Sequence, residues 1–156
     1  MDTNVITPEG NKELKAELDH LWRIERPEIT KIVQWAAGLG DRSDNADYQF
    51  NKQRLRAIDR RVRFLRKRLE QLRVIPYNRE QEGRALFGAW VKLIGEADEP
   101  LEFRIVGPDE IYTKKNYVSV KAPVAIACLG KKVGDVVFVE TTESNRSWEI
   151  TDIFYL

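Results

Sequence analysis

One cysteine, one histidine and no long apolar run set the outer limits of this 156-residue chain. Cys128 alone cannot form an internal disulfide, and a reducing compartment is the simpler expectation. His20 alone excludes a multi-histidine metal site, and a Ser-His-Asp triad would have to be built on this one ring. It falls in the middle of a helical pattern, which points to a surface or interhelical role. The first residues lack a basic segment followed by an apolar run, so no secretory signal is expected. No apolar stretch approaches the about 20 residues that span a bilayer. A soluble, cytoplasmic chain without membrane contact is the expectation. An excess of one charge is also missing overall, with 26 Lys/Arg against 25 Asp/Glu. The halves differ, however: residues 1–78 hold 16 basic and 12 acidic residues, and residues 79–156 hold 10 and 13. A basic first half is a weak indication of nucleic-acid contact.

What is present begins with two long helical patterns. Thr7-Pro8-Glu9 suits a helix start, with Thr7 capping, Pro8 in the first turn and Glu9 at the positive end of the dipole. Apolar residues recur at Leu14, Leu18, Leu21, Trp22, Ile29, Ile32, Val33 and Ala36, at helical spacing. Pro27 is discordant and predicts a bend near Arg23–Arg26, because it removes a backbone hydrogen bond. Gly38 and Gly40 end the pattern. The second pattern, Tyr48, Asn51, Leu55, Ile58, Val62, Leu65, Leu69 and Leu72, alternates by threes and fours as an a/d heptad seam. The short connection requires the helices to run antiparallel, forming a coiled-coil hairpin of roughly 45 Å at 1.5 Å per residue.

Beyond the polar run PYNREQEG, from Pro76 to Gly83, the period changes to two. Segments 87–94, 101–106, 117–120, 136–140 and 148–154 read as strands, and Pro123–Leu129 as a short helix packed on their sheet. The expected organisation is an N-terminal antiparallel coiled coil over 1–76, a linker over 77–83 and a small α+β domain with an antiparallel sheet over 84–156.

The turn between the helices carries Asp41, Asp44 and Asp47, three residues apart. Each has a capping reading, since Asp at a helix N-terminus binds free N–H groups, and Ser43 could share that work. The alternative is that carboxylates at the end of a rod complete a metal site belonging mostly to another molecule. Three short carboxylates are a poor self-sufficient Mg²⁺ cage, because Mg²⁺ takes one or two carboxylates plus other ligands and water. Residues 52–73 contain ten Lys/Arg and two acids. Lys52, Arg54, Arg61, Arg66, Arg68 and Arg73 flank the seam, where Glu13, Glu17, Glu25 and Glu28 can pair with them. Arg56, Arg60, Arg63 and Lys67 point away from the partner helix, either as a solvated face or as a track for phosphates. Phe50 and Phe64 are expected to widen the apolar seam, with a stacking surface as the other reading.

The run GDRSDNADYQFNKQRLRAIDRRVRFLRKRLE closely resembles the acidic tip and second helix of the bacterial Gre transcript-cleavage factors, and its basic helix is GreB-like. FRIVGPDEI and APVAIACLGKKVGD resemble that family's C-terminal domain, so the likeness spans essentially the whole chain. It implies an FKBP-like C-terminal domain that docks on RNA polymerase, and a coiled coil that enters the polymerase secondary channel. It also implies that Asp41 and Asp44 help hold a Mg²⁺ ion jointly with the polymerase, whose active centre then cleaves backtracked RNA near the nascent 3′ end. The chain would act as an accessory factor, and as a monomer, with Arg56, Arg60, Arg63 and Lys67 guiding RNA. Asp44 stands where the family usually has Glu, so weaker cleavage is expected. Asp47 is assigned to capping. Ser119, Lys121 and Pro123 fall in the loop that faces the polymerase in the family, where Lys121 reverses the charge of acidic members. Two outcomes remain open from the sequence: a cleavage factor, or a polymerase-binding regulator with little cleavage activity. An FKBP-like fold alone assigns no prolyl isomerase activity.

Overall fold

A computed structural model describes residues 3–40 and 44–156. The chain divides into two compact units, one formed by Asn11–Gln71 and the other by Met1–Gly10 together with Leu72–Leu156.

The helical unit is a hairpin. Helix α1 covers Pro8–His20, α2 covers Arg26–Ala37 and α3 covers Ala46–Gln71. Its core is Ile29 and Val33 of α2 against Ile58 and Val62 of α3, with Leu18, Leu21, Tyr48 and Leu55 packed around them. Cross-links between the helices join Glu17 to Arg61, Arg26 to Asp59 and Ala36 to Asn45. One number rises along the chain as the other falls, which is the signature of antiparallel helices. The seam is therefore as expected, and its polar member is satisfied locally: Asn51 is buried, its amide donates to the Asp47 carbonyl, and its oxygen accepts from Arg54.

Pro27 is accommodated by a π-helical turn over Leu21–Glu25 between α1 and α2. The Arg26 N–H reaches back five residues to the Leu21 carbonyl, and the flanking His20, Glu25 and Arg26 keep helical dihedrals. A π-turn holds one more residue than an α-turn, so it rotates the positions that follow it. Two residues of the expected stripe consequently lie outside the seam. Trp22 is exposed, with the guanidiniums of Arg26 and Arg66 at 5.3 and 4.5 Å from its ring, and Ile32 is also exposed.

In the second unit a five-stranded sheet has the order β5-β4-β3-β7-β6, from strands β3 (Trp90–Gly95), β4 (Pro100–Val106), β5 (Tyr117–Ser119), β6 (Val136–Glu140) and β7 (Asn145–Phe154). All pairings are antiparallel except β4 with β5, which is parallel. Period-two alternation buries Val91 and Leu93 on β3, and Val137 and Val139 on β6. On β7 the buried positions are Trp148, Ile150 and Ile153. The phase change falls at a bulge, where Lys92 pairs with Asp152 and Leu93 with Ile150, leaving Thr151 as the extra residue. Helix α4 (Pro123–Cys128) contributes Ala125 and Cys128 to the same core. Burial pushes the Cys128 thiol up to about 11, so it is an inert core residue.

The amino end departs from the expected 1–76 boundary. Strand β1 (Val5–Ile6) pairs in parallel with β2 (Arg73–Val74), so the first ten residues group with the C-terminal unit. Buried Glu110 anchors this segment: its carboxylate accepts from the Thr7 N–H at 3.1 Å, the Gly107 N–H at 2.8 Å and the Thr7 hydroxyl. Thr7 also performs the expected capping, accepting from the Gly10 N–H at 3.0 Å. A Cβ at Gly107 would sit 2.0 Å from the Val5 carbonyl oxygen, so this approach requires glycine. The expected linker is not featureless, since Arg79–Gln81 forms a 3₁₀ turn capped by Asn78.

Replacing Glu110 by Ala should leave two amides and a hydroxyl without their acceptor. The expected cost is about 3 kcal/mol in urea unfolding. The Ile75 amide, bonded to the Ile6 carbonyl, should exchange faster with solvent. Unchanged stability and exchange would show that the anchor contributes nothing.

Candidate functional site at the hairpin tip

Helix α2 ends at Ala37, where the Gly38 and Leu39 N–H groups close the last turn on the Trp35 and Ala36 carbonyls at 3.1 Å each. Gly40 has a φ of 137°, a backbone conformation that favours glycine and carries the chain away from the helix. Asp41 and Ser43 lie outside the described residues. The description resumes at Asp44, which is exposed and makes no hydrogen bond or ion pair among the described residues.

The cap of α3 is Asn45, not Asp47. The Asn45 side-chain oxygen accepts from the Tyr48 N–H at 3.0 Å, and its amide donates to the Ala36 carbonyl at 2.5 Å. One side chain thus closes the start of α3 and ties it to the end of α2. An amide can donate and accept at once, whereas an ionised carboxylate only accepts. That difference explains why Asn holds this position. Asp47 is exposed in the first turn, where its charge favours the helix dipole without making the cap.

Among the described residues, Asp44 is therefore left as an uncommitted oxygen ligand at the tip. Among the described residues, no three or more His, Cys, Asp or Glu side chains gather into a metal-binding group. A lone exposed carboxylate is a hard ligand suited to sharing a divalent cation whose other ligands come from elsewhere.

Along α3 the cations separate into two sets. Arg61 holds Glu17 through two bonds of 2.6 and 2.9 Å, and Arg26 holds Asp59 at 2.8 Å. The Asp59 hydrogen bond raises the Arg26 pKa further above its ordinary value. Arg56, Arg60, Arg63 and Lys67 are exposed, with no hydrogen bond or ion pair among the described residues. Their spacing of four, three and four keeps them on one face, over roughly 16 Å of helix.

Phe50 and Phe64 do not widen the seam. They are 62% and 49% exposed, with the Arg54 and Arg61 guanidiniums at 5.8 and 5.3 Å from their rings. His20 is exposed and lies 3.7 Å from Glu25.

In the second unit, the loop after β5 is closed by Ser119. Its hydroxyl accepts from the Lys121 N–H at 3.1 Å and its carbonyl from the Ala122 N–H at 2.8 Å. The Lys121 side chain is exposed, and exposed Pro123 opens α4. Nearby in the fold, buried Arg104 is fully engaged: it donates to the Gly88 carbonyl and the Tyr117 hydroxyl and lies 3.8 Å from Glu9. It has the character of a structural cation.

Residues 4–74 match the family model described as "Transcription elongation factor, N-terminal", and residues 80–155 match "Transcription elongation factor, GreA/GreB, C-term". The chain belongs to the GreA/GreB family. It is 56% identical over 155 residues to transcription elongation factor GreB of Pseudomonas putida, covering 99% of this chain and 96% of the relative. To the GreB of Vibrio parahaemolyticus it is 54% identical over 156 residues, covering 99% and 96%. Among solved structures it resembles GreA factor homolog 1 of Thermus thermophilus, at 25% identity and a TM-score of 0.42, covering 96% and 97% of the two chains.

Within this Gre-family chain, sequence reading missed Asn45 as the residue that joins the two helices at the tip. The available signal was an Asn immediately before a helical run, masked by the acids on either side. It also missed the exposure of Phe50, whose flanking position did not reveal whether a neighbour would cover it.

Asn45→Ala should cost about 1 kcal/mol. The Tyr48 amide should then exchange about fivefold faster if local opening dominates. Equal exchange in the two chains would show that Asn45 does not hold the tip.

Proposed function

We propose that this Gre-family chain binds RNA polymerase, enters its secondary channel with the helical hairpin, and stimulates Mg²⁺-dependent endonucleolytic cleavage of backtracked nascent RNA. The exposed Asp44 carboxylate, without a partner among the described residues, is the observation that carries this reading. The side chain has nothing to stabilise within the described fold, so its charge is available to an external site. With Asp41 it supplies oxygen ligands on this chain's side of a Mg²⁺ ion shared with the polymerase. When bound, such an ion stabilises charge on the attacking and leaving oxygens of a phosphodiester displacement.

The other described residues support the same task without entering the chemistry. Asn45 fixes where α3 begins and hence where Asp44 is carried. Helix α3, with 26 residues, extends about 39 Å at 1.5 Å per residue, enough to carry a tip deep into a channel. Arg56, Arg60, Arg63 and Lys67 hold their charges on the outward face for RNA phosphates. Ser119, Lys121 and Pro123 present a docking surface to the polymerase. The chain remains an accessory factor, since the reacting centre is the polymerase's own.

A second reading is favoured by two specific residues. Asp44 is one methylene shorter than Glu, and exposed Lys121 places a positive charge in the docking loop. Both features fit a polymerase-binding regulator with weak cleavage. A stalled, backtracked elongation complex with 3′-labelled RNA separates the readings. Short labelled fragments with the wild-type chain, absent with Asp41→Ala/Asp44→Ala, support cleavage; binding without fragments supports the regulator; no binding removes both.

Asp44→Glu should accelerate cleavage. Its carboxylate reaches roughly 1.5 Å further, and misplacement of about 1 Å at a reacting centre can cost on the order of 10²-fold. Single-turnover fragment release is the measurement, and a rate no faster than wild type would overturn the reach argument.

A further inference from the structure

Exposed aromatic surface occurs beside the tip, where it contributes nothing to the hairpin seam. Trp35 is 60% exposed and Phe50 62%. Helical phase places these two rings on one flank. On α3, taken at about 100° per residue, Asp59 lies to one side of the seam formed by Asn51, Ile58, Val62 and Leu65, while Phe50 and Arg54 lie to the other. On α2, Arg26 is on the Asp59 side, as their hydrogen bond shows. Ile32 and Trp35 lie opposite Arg26 with respect to Ile29, Val33 and Ala36. The tip-proximal flank away from the Arg26–Asp59 bond therefore carries Ile32, Trp35, Phe50 and Arg54. Farther along α3, the Arg61–Glu17 ion pair occupies the same side.

The chemistry of this flank selects its occupant. Its largest groups are flat rings, and a guanidinium lies 5.8 Å from the Phe50 ring. The helix that bears Phe50 has nine Lys/Arg and two acids between 52 and 71, so the complementary partner is polyanionic. A chain that combines repeated negative charge with exposed flat faces is single-stranded nucleic acid, which binds through basic grooves and base–aromatic stacking.

We propose that Phe50, with Trp35 on the facing helix, is a stacking platform for bases at the extruded single-stranded RNA 3′ end. This rests on the reading of the chain as a factor that meets backtracked RNA in the polymerase. Phe50 lies four residues into α3 from Ala46, about 6 Å at helical rise, and Asp44 is two residues before that helix. A base held there fixes the strand close to the carboxylate while the outward cations hold phosphates. Stacking tolerates any base, so the platform positions the strand without reading its sequence.

The test uses backtracked elongation complexes whose RNA ends in 2-aminopurine, a base whose fluorescence is quenched by stacking. The Asp41→Ala background keeps the RNA intact during the measurement. Adding this chain should quench the probe; Phe50→Ala and Phe50→Leu should weaken the quenching interaction about tenfold, and Phe50→Trp should preserve it. Trp35→Ala should reduce it as well. Absence of quenching, or quenching indifferent to Phe50, overturns the platform. Equal loss of affinity for polymerase lacking extruded RNA would instead make the flank a protein contact, and also overturns it. Fragment release by the chain with native Asp41, measured in parallel, reports separately on the cleavage reading.

Discussion

Ile29 and Val33 meet Ile58 and Val62 across the helical hairpin, and everything at the tip depends on that contact. Burial of such side chains is worth roughly 1.5–3 kcal/mol each, whereas the exposed ion pairs flanking them contribute at most about 1 kcal/mol apiece. The seam therefore supplies the association, and the Arg61–Glu17 and Arg26–Asp59 pairs refine its register. With the seam carrying the stability, most of the charge on α3 is not needed for folding. This is what leaves Arg56, Arg60, Arg63 and Lys67 without partners among the described residues.

The same seam has to survive a proline. Pro27 cannot donate to the helix ladder, and an uncompensated loss would break α1 from α2. The π-turn keeps the backbone helical by moving the Arg26 N–H to the Leu21 carbonyl. Its consequence is a rotation of side chains about the axis. Trp22 leaves the seam and lies against Arg26 and Arg66, and the Arg66 contact adds a cation–π interaction between the two sides of the hairpin.

These details explain which parts of the structure were legible in the sequence. The seam of α3 and the strands of the second unit were readable because apolar periodicity is local. Even so, β7 changes phase at Thr151, a bulge that only its pairing with β3 defines. The amino-terminal anchor was not readable. Thr7 and Glu110 are 103 residues apart, and nothing near either residue signals the other. Pro27 announced an irregularity but not its form, since a bend and a π-turn answer the same missing donor. At the tip, three aspartates drew attention from Asn45, although its amide can accept from α3 while donating to α2, which an ionised aspartate cannot. Phe50 and Phe64 were expected to widen the seam and are instead exposed, because covering them depends on the width of the partner helix at that point.

The tip thus separates two duties that its sequence runs together. Holding the turn requires a side chain that donates and accepts within the fold, and Asn45 does both. Acting on an external partner requires a group with no such obligation, and Asp44 meets that condition among the described residues. Were Asp44 the cap, its charge would be spent on backbone N–H groups and it would be a weaker ligand for anything outside. Capping by the neutral amide leaves the adjacent carboxylate free. Its shorter reach then becomes the variable that distinguishes a cleavage factor from a regulator, because the fold beneath it serves either equally well.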